Sequence, residues 1–239
     1  MDEAKPYLWY RYTFTFDDGV KKVFEVRLDS QTQAILPIPR EKIPEWTRLD
    51  NRKCGNCPLK SQTSPHCPIA VNMTELVESF GDIISYKEAD VLVETQERNI
   101  SRRVPVQNAL YSLMGIYMSA SGCPLMERLK PLVRFHMPFA TVDETIYRVT
   151  TMYVMAQYLR MKSGLTPDWE LEGVKTMFEE VHKVNVDFCQ RLHSAIAEDS
   201  LVNSVSTLDV FAHMAKAPSI KRMGALRQLF EPYLEGTSG

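Results

Sequence analysis

The chain predicts an α+β fold. A small antiparallel sheet, built from an N-terminal hairpin and strands near 89–104, packs on a C-terminal helical bundle. Three observations carry this expectation. Residues 7–16 alternate, with Leu8, Tyr10, Tyr12, Phe14 and Phe16 on one face and Trp9, Arg11, Thr13 and Thr15 on the other, which is the side-chain period of a strand. The turn signal Asp17-Asp18-Gly19 leads into a second alternating run with Phe24, Val26 and Leu28 on one face, so the two runs form a β-hairpin. From Pro105 onward the spacing of apolar residues becomes helical.

The remaining elements follow in order. A third strand is expected near Ala34–Ile38, ending at Pro37 and Pro39. Residues 39–68 hold five prolines and three cysteines with little periodicity, a loop long enough to need something that orders it. A helix is expected over about Ala70–Phe80, stopped by Gly81. Residues 89–104 alternate again, Val91, Val93 and Thr95 against Leu92, Glu94 and Gln96, and return as one or two strands to the first sheet. Val106–Ser119 is apolar nearly all round, as a central helix would be. Thr141 followed by Glu144 is a capping box that opens Val142–Lys162. Asp168–Ala197 carries Val174, Met177, Val181, Phe188 and Leu192 on one stripe. Leu201–Lys216 and Ser219–Leu234, separated by Ala217-Pro218, complete the bundle. The expected organisation is a β-rich region with the cysteine loop at 1–104 and a helical bundle at 105–239, together one compact unit.

With 239 residues the chain can bury a substantial core without cross-links. A net charge of −2 argues against a nucleic-acid footprint or a membrane-surface patch. The start, Met-Asp-Glu-Ala-Lys-Pro, has no basic segment followed by an apolar one, so a secretory signal is not expected and a cytoplasmic location is. In a reducing compartment, clustered cysteines serve as metal ligands or redox groups more often than as disulfides.

The cysteines are the most specific signal. Cys54 and Cys57 form a C-x-x-C, Cys67 follows after nine intervening residues, and Cys123 lies further on; Cys57, Cys67 and Cys123 each precede a proline. Two residues between ligands let both sulfurs face one ion across a tight turn. Cys54, Cys57, Cys67 and Cys123 are therefore the expected metal ligands, with His66 and His136 in reserve. The plainer alternative is that Cys67 and Cys123 are small buried residues. Zinc is placed ahead because it is the commoner structural metal. An iron–sulfur cluster is its rival, because proline after a ligating cysteine is a habit of such sites. A haem attachment would need histidine where Pro58 stands, and a thioredoxin-like dithiol would need a βαβ setting.

Two further constellations have plainer readings. His136, within Arg134-Phe135-His136-Met137-Pro138-Phe139, could act as a general base with Asp143 or Glu144. No nucleophile or phosphate loop accompanies it, so it is read as a core histidine bonded to a backbone carbonyl or an acidic side chain. His182, Cys189 and His193 lie near a common helix face and could ligate a second metal; they are read as a half-buried helix edge. The chain has none of the Walker, dinucleotide, zincin or nucleophile-elbow motifs.

Two resemblances complete the sequence evidence. Cys54-Gly55-Asn56-Cys57-Pro58-Leu59 resembles the cluster-binding start of family-four uracil-DNA glycosylases, but that family's glycine- and proline-rich catalytic loop is absent. More broadly, the ordered set Glu45-Trp46-Thr47, Cys54-x-x-Cys57-Pro58-Leu59, His66-Cys67-Pro68-Ile69-Ala70-Val71-Asn72, Ser121-Gly122-Cys123-Pro124, Arg134-Phe135-His136-x-Pro138-Phe139 and Asp168-Trp169 resembles an uncharacterised bacterial family of cytosolic proteins, a domain of unknown function. That resemblance implies one architecture and no catalytic role. The expected function is a non-enzymatic regulatory or adaptor protein with a structural four-cysteine metal site. The alternative is an iron–sulfur redox sensor or oxidoreductase. A protein partner or self-association is expected because Trp9 puts an aromatic on the hairpin face opposite Tyr10, Tyr12 and Phe14, the equal alternative being that loop 39–68 covers that face; no nucleic acid or membrane is expected, and the sequence identifies no small-molecule substrate.

Overall fold

A computed structural model describes residues 7–38, 42–196, 199–215 and 226–234, with the side chains of 211–215 excepted. The chain divides into two compact units, Met1–Phe139 with Glu180–Val210 and Ala140–Glu179 with Phe211–Gly239. Among the described residues no helix is long and apolar enough to cross a membrane.

The first unit is α+β, as the sequence predicts. β1 (Tyr7–Thr15) and β2 (Lys21–Asp29) pair antiparallel from Tyr7↔Asp29 to Thr15↔Lys21. Gly19 takes φ +81°, a left-handed conformation that closes the turn. β3 (Glu88–Glu94) pairs with β1, and β4 (Asn99–Pro105) pairs with β3, both antiparallel, giving the order β2-β1-β3-β4. The period-two pattern places Tyr10, Tyr12, Phe14, Phe24, Val26, Leu28, Val91 and Val93 in the core. Phe14, Phe24 and Phe80 pack ring to ring, with Phe14 and Phe80 centroids 5.0 Å apart and nearly edge to face.

Ala34–Ile38 is not a strand. It makes one bridge, Leu28↔Ile35, and Ile35 N–H then turns away to Ala120 O at 3.1 Å. The predicted helix at 70–80 is two helices, α1 (Pro68–Asn72) and α2 (Thr74–Phe80), broken where Met73 takes φ −90° and ψ 1°. α3 (Val106–Ala120) is buried nearly all round, with Leu110, Leu113, Met114 and Met118 fully enclosed. A short α4 (Lys130–Arg134) follows.

α5 (Val142–Lys162) belongs to the second unit and opens with the predicted capping box: Glu144 N–H donates to Thr141 Oγ1, and Thr141 N–H donates to the Glu144 carboxylate. α6 (Glu172–His193) begins four residues later than the sequence suggests. Asp168 instead caps it from outside, accepting from Gly173 N–H at 2.7 Å and from the Tyr153 hydroxyl at 2.8 Å. The unit boundary falls within α6, so its residues from Glu180 belong to the first unit. There Val181, Val184, Phe188 and Leu192 are buried, as are Leu201, Val202 and Val205 of α7 (Ser200–Ala215). Of the helix expected at 219–234, residues 219–225 lie outside the described residues, as do Lys216 and the Ala217-Pro218 separator; Gln228–Phe230 is a 3-10 turn and α8 (Glu231–Leu234) follows.

The capping box gives a direct check. Thr141→Ala removes the acceptor for Glu144 N–H and should cost about 1 kcal/mol. Denaturant unfolding of the variant should show the drop, and an unchanged midpoint would deny the cap its role.

Candidate metal centre

Among its described residues the cysteine loop has little regular structure, a 3-10 turn at Glu45–Thr47 before α1. Hydrogen bonds hold its two ends side by side. Cys67 N–H donates to Thr47 O at 2.8 Å and Leu49 N–H to Pro65 O at 2.9 Å, while Arg48 and His66 form a bridge. His66 Nδ1 lies 2.8 Å from the hydroxyl of fully buried Thr47. Cys57 N–H donates to Cys54 O at 3.0 Å and closes the C-x-x-C turn.

The second half of α6 grips this loop at three points. The Asn56 amide donates to Glu180 Oε2 at 2.8 Å and to Glu180 O at 3.1 Å. Gly55 N–H donates to Asp187 Oδ2 at 2.8 Å. The Arg191 guanidinium donates from Nη1 to Trp46 O at 2.9 Å and Arg48 O at 2.6 Å, and from Nη2 to Leu49 O at 3.1 Å. Spacings of seven and four put Glu180, Asp187 and Arg191 on one helix stripe.

All four predicted cysteines fall in one neighbourhood. Cys67 and Cys123 are buried; Cys54 and Cys57 are half-buried. Burial pushes the Cys54 thiol up to about 12, and the charges of Cys67, Asp187, Cys57 and Cys123 push in the same direction. Burial takes Cys123 up to about 11, with Cys67 and Cys57 adding and the N–H groups of Leu125 and Met126 opposing. Burial also raises Cys67, against the pull of the Ala70 and Ile69 N–H groups and the Arg191 guanidinium. The four sulfurs thus feel one another. As the side chains stand, no three His, Cys, Asp or Glu among the described residues form a group that could hold a metal ion. The four thiols influence one another electrostatically, and no metal-holding group is formed among the described residues as they stand. Thiols raised in this way are protonated at neutral pH, so a metal must displace their protons.

The other sequence candidates lie elsewhere. Cys189 faces Val202 O and the Ser206 hydroxyl at 3.8–3.9 Å. His182 Nδ1 pairs with Asp209 at 2.8 Å, and His193 is exposed, so these three do not converge. His136 Nε2 meets the Tyr12 hydroxyl at 2.5 Å, and its ring packs edge-on to Tyr10. The Tyr12 hydroxyl is a partner the sequence did not single out. Burial lifts the Tyr12 phenol far above its ordinary value, with the Ser112 hydrogen bond opposing, so Tyr12 stays neutral and fixes the imidazole. Trp9 is half-buried, with the Arg11 guanidinium 5.1 Å above its ring. Arg11 and Arg27 both bind Glu25, at 2.6 Å each, so the second face of the hairpin is a charged lattice. A cavity of about 690 Å³ borders that lattice, lined by Tyr7, Arg11, Glu25, Arg27, Ile38 and Asn72 among others.

Glu180, Asp187 and Arg191 are the residues the sequence did not single out. If Asp187 holds the C-x-x-C turn, Asp187→Ala should free Gly55 N–H, raise amide exchange across 54–57, and cost about 1 kcal/mol. Unchanged exchange at Gly55 would refute that hold.

Nothing among curated proteins or solved structures matches the chain. A family model covers residues 9–231, nearly the whole length. The chain therefore belongs to the family described as a domain of unknown function, DUF6901.

Proposed function

We propose that the protein is a non-enzymatic regulatory or adaptor protein of the cytoplasm, in which Cys54, Cys57, Cys67 and Cys123 hold a structural metal. The observation that supports this reading is the electrostatic influence that four thiols from two distant segments have on one another, beside a loop with little regular structure of its own. Ligation would tie the C-x-x-C turn and Cys67 to the Cys123 turn after α3. Four thiolates close a tetrahedral site and leave no open position for water or substrate, which is the chemistry of a fastener. Zinc is the first candidate. Its sulfurs would lie within about 4 Å of one another, given Zn–S bonds of about 2.3 Å.

Support for the adaptor role comes from α5. Tyr147, Val154, Tyr158 and Met161 follow one another at spacings of seven, four and three, all exposed, and exposed Met155 and Leu159 widen the stripe. Such a stripe has the period at which a second helix packs, and an exposed apolar surface of this kind marks an interaction site. The partner reading thus moves from the Trp9 face to α5, and the occupant is a helix of another protein.

A second reading has its own observation. The N–H groups of Ala70 and Ile69 pull the Cys67 thiol downward and those of Leu125 and Met126 pull Cys123, and Cys54 and Cys57 are half-exposed. Hydrogen bonds to sulfur and partial exposure are levers that tune an iron–sulfur cluster, so a redox sensor is the alternative. Metal analysis and the visible spectrum of anaerobically purified protein separate the two. Colourless protein with one zinc per chain supports the structural reading. Brown protein bleached by dithionite supports the cluster, and protein without metal defeats both.

Two variants extend the test. Cys57→Ser should release the metal, lower the melting temperature and raise amide exchange over 42–67, because metal binding and ordering are linked. A variant that stays as stable and protected as the parent would show the metal is not structural. Tyr158→Glu should leave the fold intact yet abolish a cross-link to the partner helix. Identical cross-linking would remove α5 from the interface.

A further inference from the structure

We propose that Arg191 is the buried counter-cation of the four-thiolate centre, a positioning residue that supplies the positive charge the ligand set requires. This inference rests on the metal site proposed above.

Arg191 is anomalous for its position. It is 1% exposed and the largest fully buried side chain of the chain's described residues. Guanidinium does not shed its charge inside a protein, and a buried charge is tolerated where it is paired as well as hydrogen-bonded. Three of its hydrogen bonds go to neutral carbonyls, those of Trp46, Arg48 and Leu49. Its Nε–H is buried with no hydrogen-bond partner. Among the described residues it forms no ion pair with any carboxylate. Asp187, one turn earlier on α6, instead holds Gly55 N–H. The fork accounts for the hydrogen bonds and leaves the charge unanswered.

The thiols supply the missing anion. Arg191 clasps the carbonyls on either side of Thr47, and Thr47 O in turn holds Cys67 N–H at 2.8 Å. The guanidinium therefore sits one residue from the peptide that anchors a ligand. When four thiols bind a dication they release four protons, and the complex carries two net negative charges. In a buried setting that charge needs a nearby cation. Lys53, a lysine of the loop itself, is exposed and donates to Leu59 O. Arg191 is buried, fixed at three points and always charged. Cluster and cation each remove the burial penalty of the other, so metal loading and the grip of α6 on the loop reinforce one another.

The test is a zinc titration of metal-stripped protein against a competing chelator, for wild type, Arg191→Lys and Arg191→Met. Arg191→Met keeps bulk and removes charge, and should weaken zinc binding about 10- to 100-fold. Arg191→Lys restores the charge with poorer hydrogen bonding and should recover most of that loss. Zinc binding by Arg191→Met at wild-type affinity would overturn the inference. So would equal losses in both variants, since the role would then be the clasp of the three carbonyls alone. Wild-type protein that takes up no zinc and purifies without iron would instead defeat the site itself. Should neither variant fold, arginine-labelled wild type decides by NMR. The Arg191 Nε–H resonance should shift and exchange more slowly on adding zinc, and a resonance indifferent to zinc would overturn the proposal.

Discussion

The hold of Arg191 on the loop at 46–49 is the constraint on which the candidate site depends. A single guanidinium, fully enclosed, binds three consecutive-segment carbonyls from a helix more than 140 residues away in the chain. That clasp fixes the strand-like pairing of Arg48 with His66, which sets the backbone of Cys67. Asp187 and Glu180 repeat the pattern along the same helix stripe at Gly55 and Asn56. A loop with little apolar packing of its own thereby acquires a defined path. The physical currency is the backbone hydrogen bond, because unpaired buried peptide groups are costly.

The sheet and α3 prepare the other half of the arrangement. The alternating aromatic face of β1 and β2 closes over Phe80, and α3 is enclosed on nearly every side. A helix buried in that way ends at a fixed place, and Gly122 at φ +90° turns the chain directly into Cys123. The last ligand candidate is therefore delivered by core packing, and the first three by hydrogen bonds to α6. The electrostatic influence of Cys67, Cys57 and Cys123 on Cys54, across two separately ordered segments, is what favours the proposal of a shared metal over four unrelated small residues.

Much of the fold was legible because it rests on side-chain period and local caps. The hairpin, the return strands, α3 and the Thr141 capping box each leave a residue-type signature. The break at Met73 left none, since no glycine or proline marks it. The start of α6 was misplaced because Asp168 looks like a first helical residue while it caps from outside through Gly173 N–H. Within the candidate site, the cysteine spacing was readable and the α6 grip was not. Asp187 and Arg191 bond to backbone groups of a distant loop, and a peptide carbonyl has no letter in the sequence. The one hint was an arginine flush with the apolar residues Phe188 and Leu192. For His136, the neighbourhood of aromatics was readable, but the phenol of Tyr12 as its partner required the register of β1 against the segment after α4.

Whether four sulfurs share one metal decides the role of the cysteine loop. X-ray absorption at the metal edge, on protein purified anaerobically without added metal, measures that shell directly. A first shell of sulfur alone, four scatterers at about 2.3 Å, is the result this account predicts. A shell containing nitrogen or oxygen, or fewer than four sulfurs, would contradict the four-cysteine centre and turn attention to His66 or His136 as ligands; no metal at all would leave Cys54, Cys57, Cys67 and Cys123 as buried thiols.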